Sequence, residues 1–437
     1  MNSQNKNNTS AAQKFGFWSI VLLGINAIIG SGIFLLPNKA YALAGPFSLV
    51  VIIFDAFLAM SLALCFAEAS GRFHRNGGPY IYARAAFGNF VGFEVGFMKA
   101  AISIIAWAAM SNGFATALTA VVPAVNEPFY KNLVIILLMG GLGLINILGV
   151  QISKVVNNLV TVGKLVPLVL FIAVGIFYVN GGHFTPLIPT GEAAESFSFG
   201  AAALLIFYAF TGFEAIAEAA EDMDEPKKNV PRAIVVVMLL VSLFYFLIVL
   251  VSIGVLGGDL AATKTPIATA AAVFLGSAGG LLVTAGTLVS IGGINLASSF
   301  LTPRVIVAIA DDHMLPPVFS RYSRFGTPYV AILFATLVGI AIALSGSFTT
   351  LAAISVVSRF AQYLPTCLAV LILRKKTPET PSTLEIPFGP VIPAVAILVS
   401  LWLLVQADVH KILIGLGGLV IAVPFYFLMK KQYLEGK

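Results

Sequence analysis

Two apolar stretches of this 437-residue chain are each interrupted by small and polar residues that could hold a ligand. Residues 30–33 read GSGI and interrupt the first stretch, and residues 209–214 read AFTGFE and interrupt the sixth. If these stretches cross a membrane, each break is costly, because freed backbone N–H and C=O groups find no water there. Two such breaks, five stretches apart, predict one polar site shared by two similar half-chains.

The first break offers backbone N–H groups. Gly30 and Gly32 allow a helix to unwind and a ligand to approach the main chain closely. The helix that resumes after Ser31 presents free N–H groups and the positive end of its dipole, which suit a carboxylate. The alternative is that both glycines only permit close helix packing, which is common in membranes. On this segment alone both interpretations stay open.

The second break offers carbonyl groups and aromatic rings. Carbonyls freed before Gly212 suit an ammonium group, and the neighbouring aromatic side chains could close over a ligand. The alternative is an aromatic-rich core helix with a kink. Taken together, N–H groups at one break and carbonyls at the other favour a holder for a zwitterion.

Lys164 is the most informative single residue. It lies ten residues beyond Lys154, about 15 Å deeper along a helix, within the apolar sequence LVTVGKLVPLVL. A lysine at that depth is costly and usually marks a transport pathway or replaces a bound cation. A purely structural ion pair is the alternative; apolar residues on both sides disfavour snorkelling. The eighth stretch offers polar partners: Thr284, Ser290, Asn295, Ser298 and Ser299.

Other charges in apolar stretches are predicted to have structural roles. Five of them could neutralise one another by pairing, although the sequence assigns no pairs: Asp55, Glu68, Glu94, Lys99 and Arg359. Glu214, Glu218 and Glu221 share one helix face. Glu214, beside the second break, is the functional candidate among them.

Composition identifies the elements that position these residues. Hydrophobic residues make up 59% of the chain and charged residues 10%, and mean hydropathy is +0.98. Such a chain is a polytopic membrane protein, with about 20 apolar residues per spanning helix. Twelve spans are predicted, at residues 15–40, 46–70, 88–122, 131–149, 155–180, 199–220, 232–256, 279–308, 327–346, 348–373, 389–406 and 411–429.

The positive charges predict the orientation of the chain. With the N-terminus inside, eighteen of the 25 Lys and Arg residues lie in cytoplasmic loops and tails, against four outside: Lys39, Lys131, Lys264 and Lys411. This positive-inside bias predicts that both termini are cytoplasmic in the plasma (inner) membrane. The net charge of +6 therefore reflects topology and does not indicate nucleic-acid binding.

Several classes of protein are disfavoured. Met1 to Lys14 is polar and lacks a small-residue cleavage site, so no signal peptide is expected. Cys65 and Cys367 both lie in predicted spans, so no extracellular disulfide is expected. No Cys/His cluster, Gly-rich phosphate loop or nucleophile–base pair is evident, so we expect no metal, no cofactor and no enzymatic activity.

The spans divide into two groups of five within one transmembrane domain, 1–437. Residues 15–180 hold spans 1–5, residues 199–373 hold spans 6–10, and residues 389–429 hold spans 11 and 12. Because five is odd, the second group enters the membrane in the opposite sense. The pattern predicts an all-α fold with a 5+5 inverted repeat and two broken helices.

Five motifs resemble those of the amino acid–polyamine–organocation superfamily, and within it the L-type amino acid transporters: IIGSGIF, NGGPYIYAR, FYAFTGFE, EPKKNVPRAI and VVNNLVTVGKL. The chain resembles the bacterial alanine–serine–cysteine exchangers of that family over nearly its whole length. The resemblance implies the leucine-transporter-type fold. It also implies that the substrate carboxylate is held at the first break, by Gly30, Ser31, Gly32 and Ile33, next to Ile28.

The resemblance assigns further roles. Carbonyls of Tyr208, Ala209 and Thr211 would hold the amino group, with Phe210 between them and Tyr208 or Phe213 as an aromatic gate. Lys164 matches the lysine whose ammonium replaces a sodium ion of sodium-coupled relatives. Its implied contacts are the unwound part of span 1 and Ser298. Relatives that pair with a glycoprotein heavy chain carry a cysteine between spans 3 and 4; VVPAVNEPFYKN has none, so no disulfide-linked heavy chain is expected.

These features favour a sodium-independent, alternating-access exchanger of small neutral L-amino acids such as alanine, serine and cysteine. If Lys164 releases its proton in the working pH range, proton-coupled uptake of amino acids or polyamines becomes possible. A channel or a non-transporting sensor is the more distant alternative.

Overall fold

The computed structural model describes residues 16–73, 78–149, 154–218, 223–376 and 382–435, and these residues form helices and no β-strand. The first eight helices are α1 (Phe17–Ile28), α2 (Ser31–Leu35), α3 (Pro37–Ala44), α4 (Ser48–Ser70), α5 (Pro79–Phe87), α6 (Asn89–Leu118), α7 (Pro128–Ile147) and α8 (Lys154–Gly175). The others are α9 (Glu192–Glu195), α10 (Phe199–Phe210), α11 (Glu214–Glu218), α12 (Pro226–Leu256), α13 (Pro266–Asp311), α14 (Tyr329–Leu344), α15 (Phe348–Lys376), α16 (Val391–Val405) and α17 (Val409–Glu435).

Twelve apolar helical segments match the twelve predicted spans. Among the described residues, ten helical segments are long and apolar enough to cross a membrane, and α14 and α16 are shorter apolar helices. Spans 1 and 6 are each built from two helices, α1 with α2 and α10 with α11. The predicted all-α fold of the leucine-transporter type, with twelve spans and two broken helices, is confirmed.

The linker after span 6 is helical despite two prolines, which usually interrupt a helix. α12 begins at Pro226 and continues through Pro231. Proline is tolerated in the first turn of a helix, where the missing N–H has no partner anyway. Further along, Pro231 cannot donate to the carbonyl of Lys227, and the hydroxyl of Thr383 donates to that oxygen instead. A contact distant in sequence thus compensates for the proline.

Both halves contain a short helix joined to a long span through a glycine. In the first half α5 meets α6 at Gly88, whose φ is +92°. In the second half the segment from Pro266 is helical up to Gly276, whose φ of +68° kinks α13 before the span itself. A short helix from Pro266 to the kink at Gly276 therefore precedes the span. Each short helix follows the second span of its half, which is the correspondence that an inverted repeat requires.

The broken helices lie inside the bundle. α1 packs on α12, α4 packs on α12, and α6 packs on both α13 and α15. α8 packs on α13, which brings span 5 beside span 8. One apolar core runs from Ile20 on α1 to Val357 on α15 and surrounds both breaks. This core therefore separates both breaks from the outer surface of the helix bundle.

Candidate functional site

The first break consists of two residues with extended backbone. α1 ends at Ile28, Ile29 has φ −71° and ψ 97°, Gly30 has φ −134° and ψ −149°, and α2 begins at Ser31. The last carbonyls of α1 and the first N–H groups of α2 therefore have no partner within their own helices. Ser31, Gly32 and Ile33 lie in this first turn of α2 and are buried.

The second break depends on a glycine. α10 ends at Phe210, Thr211 is extended with ψ 153°, and Gly212 has φ +116°, a conformation that residues with a side chain rarely adopt. A Cβ on Gly212 would lie 2.6 Å from the carbonyl oxygen of Ala27. The unwound part of span 6 is therefore pressed against α1.

The two breaks touch each other. A Cβ on Gly32 would lie 2.6 Å from the Cα of Ala209, so the main chains approach as closely as glycine allows. The hydroxyls of Ser31 and Tyr208 lie 3.4 Å apart. The main chains of the two breaks are therefore in direct contact.

Lys164 reaches the first break from α8. Its side chain is 0% exposed, and its ammonium donates to the carbonyl oxygens of Asn26 and Ile29, each at 2.8 Å. Both acceptors lie at the C-terminal end of α1, where the helix dipole favours a positive charge. The side-chain nitrogen of Lys164 therefore occupies the carbonyl end of the first break.

Span 8 contributes a different serine from the one implied by the resemblance. Ser290 donates to the carbonyl oxygen of Ile29 at 3.4 Å, so its hydroxyl lies beside the Lys164 ammonium. Ser298 is half-buried on the same helix, and eight residues place it about 12 Å further along the axis. The contact between Lys164 and Ser298 is not formed among the described residues. Motif resemblance identified the helix, but helix register decides which hydroxyl faces the lysine.

Tyr245 on α12 is a site residue that sequence reasoning missed. Its hydroxyl lies 3.2 Å from the carbonyl oxygen of Ile28 and 3.0 Å from that of Ala209, and donates toward both. One buried side chain therefore bridges the last turn of α1 and the last turn of α10. A tyrosine within an apolar span must find a partner for its hydroxyl, and this signal could have identified it.

The carbonyls at the second break are partly occupied by these internal donors. The Tyr208 oxygen accepts from the N–H of Thr211 at 3.2 Å and from its hydroxyl at 2.8 Å. The Ala209 oxygen accepts from Tyr245. Because a carbonyl has two lone pairs, the Ala209 oxygen can accept one more donor, whereas an arriving ammonium group would have to displace a Thr211 donor from the Tyr208 oxygen.

The two aromatic gate candidates have different surroundings. The ring of Tyr208 meets the edge of Phe348 at 5.8 Å, next to Ser31. Phe213 lies instead in an aromatic cluster, against Phe66 at 5.3 Å and stacked on Tyr363 at 5.4 Å. Tyr208 therefore lies over the first break, whereas Phe213 connects the second break to α4 and α15.

Glu214 anchors the second break. Its carboxylate accepts from the N–H of Gly212 at 2.9 Å and from the hydroxyl of Tyr363 at 3.1 Å, and it forms an ion pair with Arg359. This charge is therefore neutralised inside the protein. Of its two predicted companions, the side chain of Glu218 and all of Glu221 lie outside the described residues.

Two of the five charges for which the sequence assigned no pairs have partners outside that set. Glu68 pairs with Arg374, which donates to both of its oxygens at 2.7 and 2.6 Å. Arg359 pairs with Glu214, which was not in the predicted set. The carboxylates of Asp55 and Glu94 are buried and accept no hydrogen bond among the described residues. Pairs across the bundle depend on helix packing, which composition does not specify.

Comparison with known proteins gives a consistent result. A family model described as amino acid permease matches residues 15–427. An uncharacterized transporter of Mycobacterium tuberculosis is 34% identical over 444 residues, which cover 95% of this chain and 91% of that protein. The branched-chain amino acid permease BcaP of Bacillus subtilis is 30% identical, covering 97% of this chain and 94% of its own. The serine/threonine exchanger SteT of Bacillus subtilis is 28% identical, covering 96% and 97%.

These matches extend over nearly the whole chain and include both broken helices. The related proteins are membrane transporters and not enzymes. This multi-pass membrane protein therefore belongs to the amino acid permease family, within the amino acid–polyamine–organocation superfamily.

Proposed function

We propose that the protein is a sodium-independent exchanger of small neutral L-amino acids that works by alternating access. The observation that carries this proposal is the contact of the Lys164 ammonium with the carbonyl oxygens of Asn26 and Ile29. Carbonyl oxygens at a helix end are also what a sodium ion would require. A covalently attached cation already supplies that charge, so the site needs no ion from solution.

Backbone groups at the two breaks provide recognition of the amino acid itself. The first turn of α2 would bind the carboxylate through the N–H groups of Ser31, Gly32 and Ile33. The carbonyls at the end of α10 would bind the amino group. The close approach of Gly32 to Ala209 supports this arrangement, because it brings the main chains of the two breaks together.

The surroundings of the first break support a neutral side chain. A Cβ on Gly30 would meet Ile294 at 2.9 Å and Met110 at 3.1 Å, so apolar side chains line this region. Phe348 covers Tyr208 from α15. The nearby carboxylate of Glu214 is engaged by Arg359 and does not select a cationic substrate. The names of BcaP and SteT refer to branched-chain amino acids and to serine and threonine, which are all neutral.

Exchange would follow because the charge of Lys164 stays on the protein and because binding of substrate drives the conformational change. Substrate would bridge the two breaks, share the carbonyls that Tyr245 and Thr211 now engage, and allow the helices to rock to the opposite side. Without substrate the internal donors hold the breaks in place. Return of the empty protein is then slow, and counter-substrate is required.

The proposal also includes the orientation of the chain in the membrane and its inverted repeat. Both termini would be cytoplasmic, in the cell's inner membrane, because the positive-inside bias favours that orientation. Spans 1–5 within residues 15–180 and spans 6–10 within residues 199–373 would form the inverted repeat, with residues 389–429 added to it.

One observation favours a second candidate, proton-coupled uptake. Asp55 and Glu94 are buried carboxylates without a hydrogen-bond donor among the described residues. An unpaired carboxylate in a bilayer is more stable when it carries a proton, and such groups occur on proton pathways. In this reading, transport would follow a pH gradient.

Competition for uptake into reconstituted vesicles tests the proposal. Each of the twenty amino acids would compete with labelled L-alanine, with sodium replaced by choline. We expect inhibition by small neutral L-amino acids, little by lysine or glutamate, and no effect of sodium. Dependence on sodium, or preference for a charged amino acid, would contradict the proposal.

A further inference from the structure

The segments that follow spans 5 and 10 attach to corresponding places in the two halves of the chain. Residues 179–198, after α8, are called the first strap, and residues 382–386, after α15, the second strap. In an inverted repeat, span 2 corresponds to span 7, and the linker before span 2 corresponds to the linker before span 7. Each strap contacts one of these spans and one of these linkers.

The first strap contacts the end of span 7 and the linker before span 2. The carbonyl oxygen of Gly254, in the last turn of α12, accepts from the N–H of Asn180 at 2.9 Å and from Nδ1 of His183 at 2.8 Å. At the far end of the strap, the N–H of Ser198 donates to the carbonyl oxygen of Leu43 on α3, also at 2.8 Å. The first strap therefore connects α3 to the last turn of α12.

The second strap contacts the end of span 2 and the linker before span 7. The N–H of Ile386 donates to the carboxylate of Glu68, in the last turn of α4, at 2.9 Å. The hydroxyl of Thr383 donates to the carbonyl oxygen of Lys227, in the first turn of α12. Since α12 has 31 residues, its two ends lie about 46 Å apart. The two straps therefore lie on opposite sides of the helix bundle.

Both straps attach to the helices that pack against the broken spans. α1 packs on α12, α10 packs on α4, and α4 packs on α12. The straps themselves continue from helices whose most extensive contacts are with other spans, because α8 packs on α13 and α15 packs on α6. Each strap therefore ties one end of the group α1, α4, α10 and α12 to a neighbouring span, and it resists separation at that end only.

We propose that the two straps are paired latches of alternating access, which release in turn. The second strap keeps the cytoplasmic side closed, and the first strap keeps the external side closed. The proposal rests on the alternating access and the orientation of the proposed function, but not on the identity of the substrate. Both straps are attached in the structure, as expected for a protein whose site is closed to both sides.

The attachments are suited to repeated release. When Ile386 leaves Glu68, the carboxylate keeps its two hydrogen bonds from Arg374, at 2.7 and 2.6 Å, so release leaves no buried charge without a partner. Gly254 lies at the end of α12, where a carbonyl that loses its donors can be hydrated once that side opens. Release of either strap therefore breaks hydrogen bonds that can form again when that side closes.

Engineered disulfides can hold either strap in place in the full-length protein. Gly71→Cys with Ser382→Cys links the second strap to span 2, because a Cβ on Gly71 would touch the hydroxyl of Ser382. Val179→Cys with Gly254→Cys links the first strap to span 7, because the two Cβ atoms would lie 3.0 Å apart, within reach of a disulfide after a small shift. Copper phenanthroline would form each bond, and dithiothreitol would reduce it. Controls are the single variants Ser382→Cys and Val179→Cys, and wild type, whose native cysteines are buried.

Exchange of labelled L-alanine in vesicles is the first measurement. Either linked variant should lose exchange at least about tenfold, because every cycle requires release on both sides. Dithiothreitol should restore exchange, and the controls should keep it under the same oxidation.

Deuterium uptake by backbone amides, measured without substrate, is the second measurement. Linking one strap removes the states open to that side, so the population shifts toward states open to the other side. We expect faster uptake at Asn180 and Ser198 when the second strap is linked, and at Ile386 when the first strap is linked. A strap with a purely structural role would leave the opposite side unchanged.

Two results would overturn the proposal. One is full exchange by a linked variant whose disulfide is verified by mass, and the other is unchanged deuterium uptake at the free strap in both linked variants. If a double variant does not fold, Thr383→Val and His183→Phe each weaken one strap without a new bond, and each should slow deuterium uptake at the opposite strap; no change there would also overturn the proposal. If no form of the protein exchanges amino acids, wild type included, the proposed function fails while deuterium uptake still decides the latches.

Discussion

The ammonium of Lys164 lies 2.8 Å from the carbonyl oxygen of Ile29, the last residue before Gly30 turns the chain out of its first helix. The same nitrogen donates to Asn26, one turn earlier. A charge attached to α8 thus stabilises the open end of α1, and Ser290 from α13 reaches the same oxygen. Three spans meet at one carbonyl, so a movement of any of them changes the first break.

Removal of this charge should abolish exchange. Lys164→Ala removes the ammonium donor from the carbonyls of Asn26 and Ile29, and hydrogen bonds to a charged group are worth about 1.5–3 kcal/mol each. We therefore expect transport to fall at least about tenfold, since 1.4 kcal/mol corresponds to a factor of ten. Exchange of labelled L-alanine in reconstituted vesicles, at equal protein incorporation, measures the effect.

Lys154→Ala is the matched control, because it removes the same type of residue from the start of the same helix. The Lys154 side chain lies outside the described residues, and the sequence places it at the cytoplasmic end. Near-normal exchange is expected for this variant. Equal loss in both variants would refute Lys164 as the functional lysine.

The hydroxyl of Tyr245 should affect substrate binding. Tyr245→Phe keeps the ring against Phe210 but removes the donor to Ile28 and Ala209. Without that bridge the ligand alone must hold the breaks together, so KM should rise about fivefold or more, given about 1 kcal/mol per neutral hydrogen bond. Tyr130→Phe, at an exposed tyrosine, is the control. An unchanged KM would show that the bridge is dispensable.

Contact between the breaks leaves no room for a methyl group. Gly32→Ala places a Cβ 2.6 Å from the main chain of Ala209, and overpacking of this kind costs about 1–3 kcal/mol. We expect loss of exchange and a lower melting temperature. Gly140→Ala adds the same group on α7 where no atom lies within 4 Å. Comparable behaviour of the two variants would argue against the close approach.

The Glu214–Arg359 ion pair should show strong coupling. Glu214→Gln leaves a buried guanidinium without its carboxylate, and removal of one partner of such a pair costs about 3–5 kcal/mol. The double variant with Arg359→Gln should recover part of that loss. Thermal unfolding of both single variants and the double variant gives the coupling energy. Strictly additive losses would mean that the pair does not stabilise the second break.

The sequence was sufficient to locate the two helix breaks. Glycines in apolar stretches have few explanations, and those at 30, 32 and 212 all lie where a main chain turns or touches another. The depth of Lys164 likewise follows from counting residues along a helix. These features are local, and local spacing determines them.

The sequence could not predict which side chains contact each other across the helix bundle. Ser290 and Ser298 are equally plausible in an apolar helix, and only the packing of α13 beside α8 and α2 selects Ser290. Tyr245 resembles any aromatic residue of a membrane span until its two acceptors are known. The donor that replaces the missing N–H of Pro231 in α12 comes from Thr383, which lies more than 150 residues away. Each of these outcomes depends on tertiary structure.

The most direct measurement of the central claim is counterflow in vesicles without sodium. Labelled L-alanine would be supplied outside, with unlabelled L-alanine present or absent inside, at equal pH on both sides. The exchanger predicts rapid uptake with internal alanine, little without it, and no change when sodium is added. Uptake that needs no internal amino acid but follows an imposed pH gradient would contradict it and favour proton coupling.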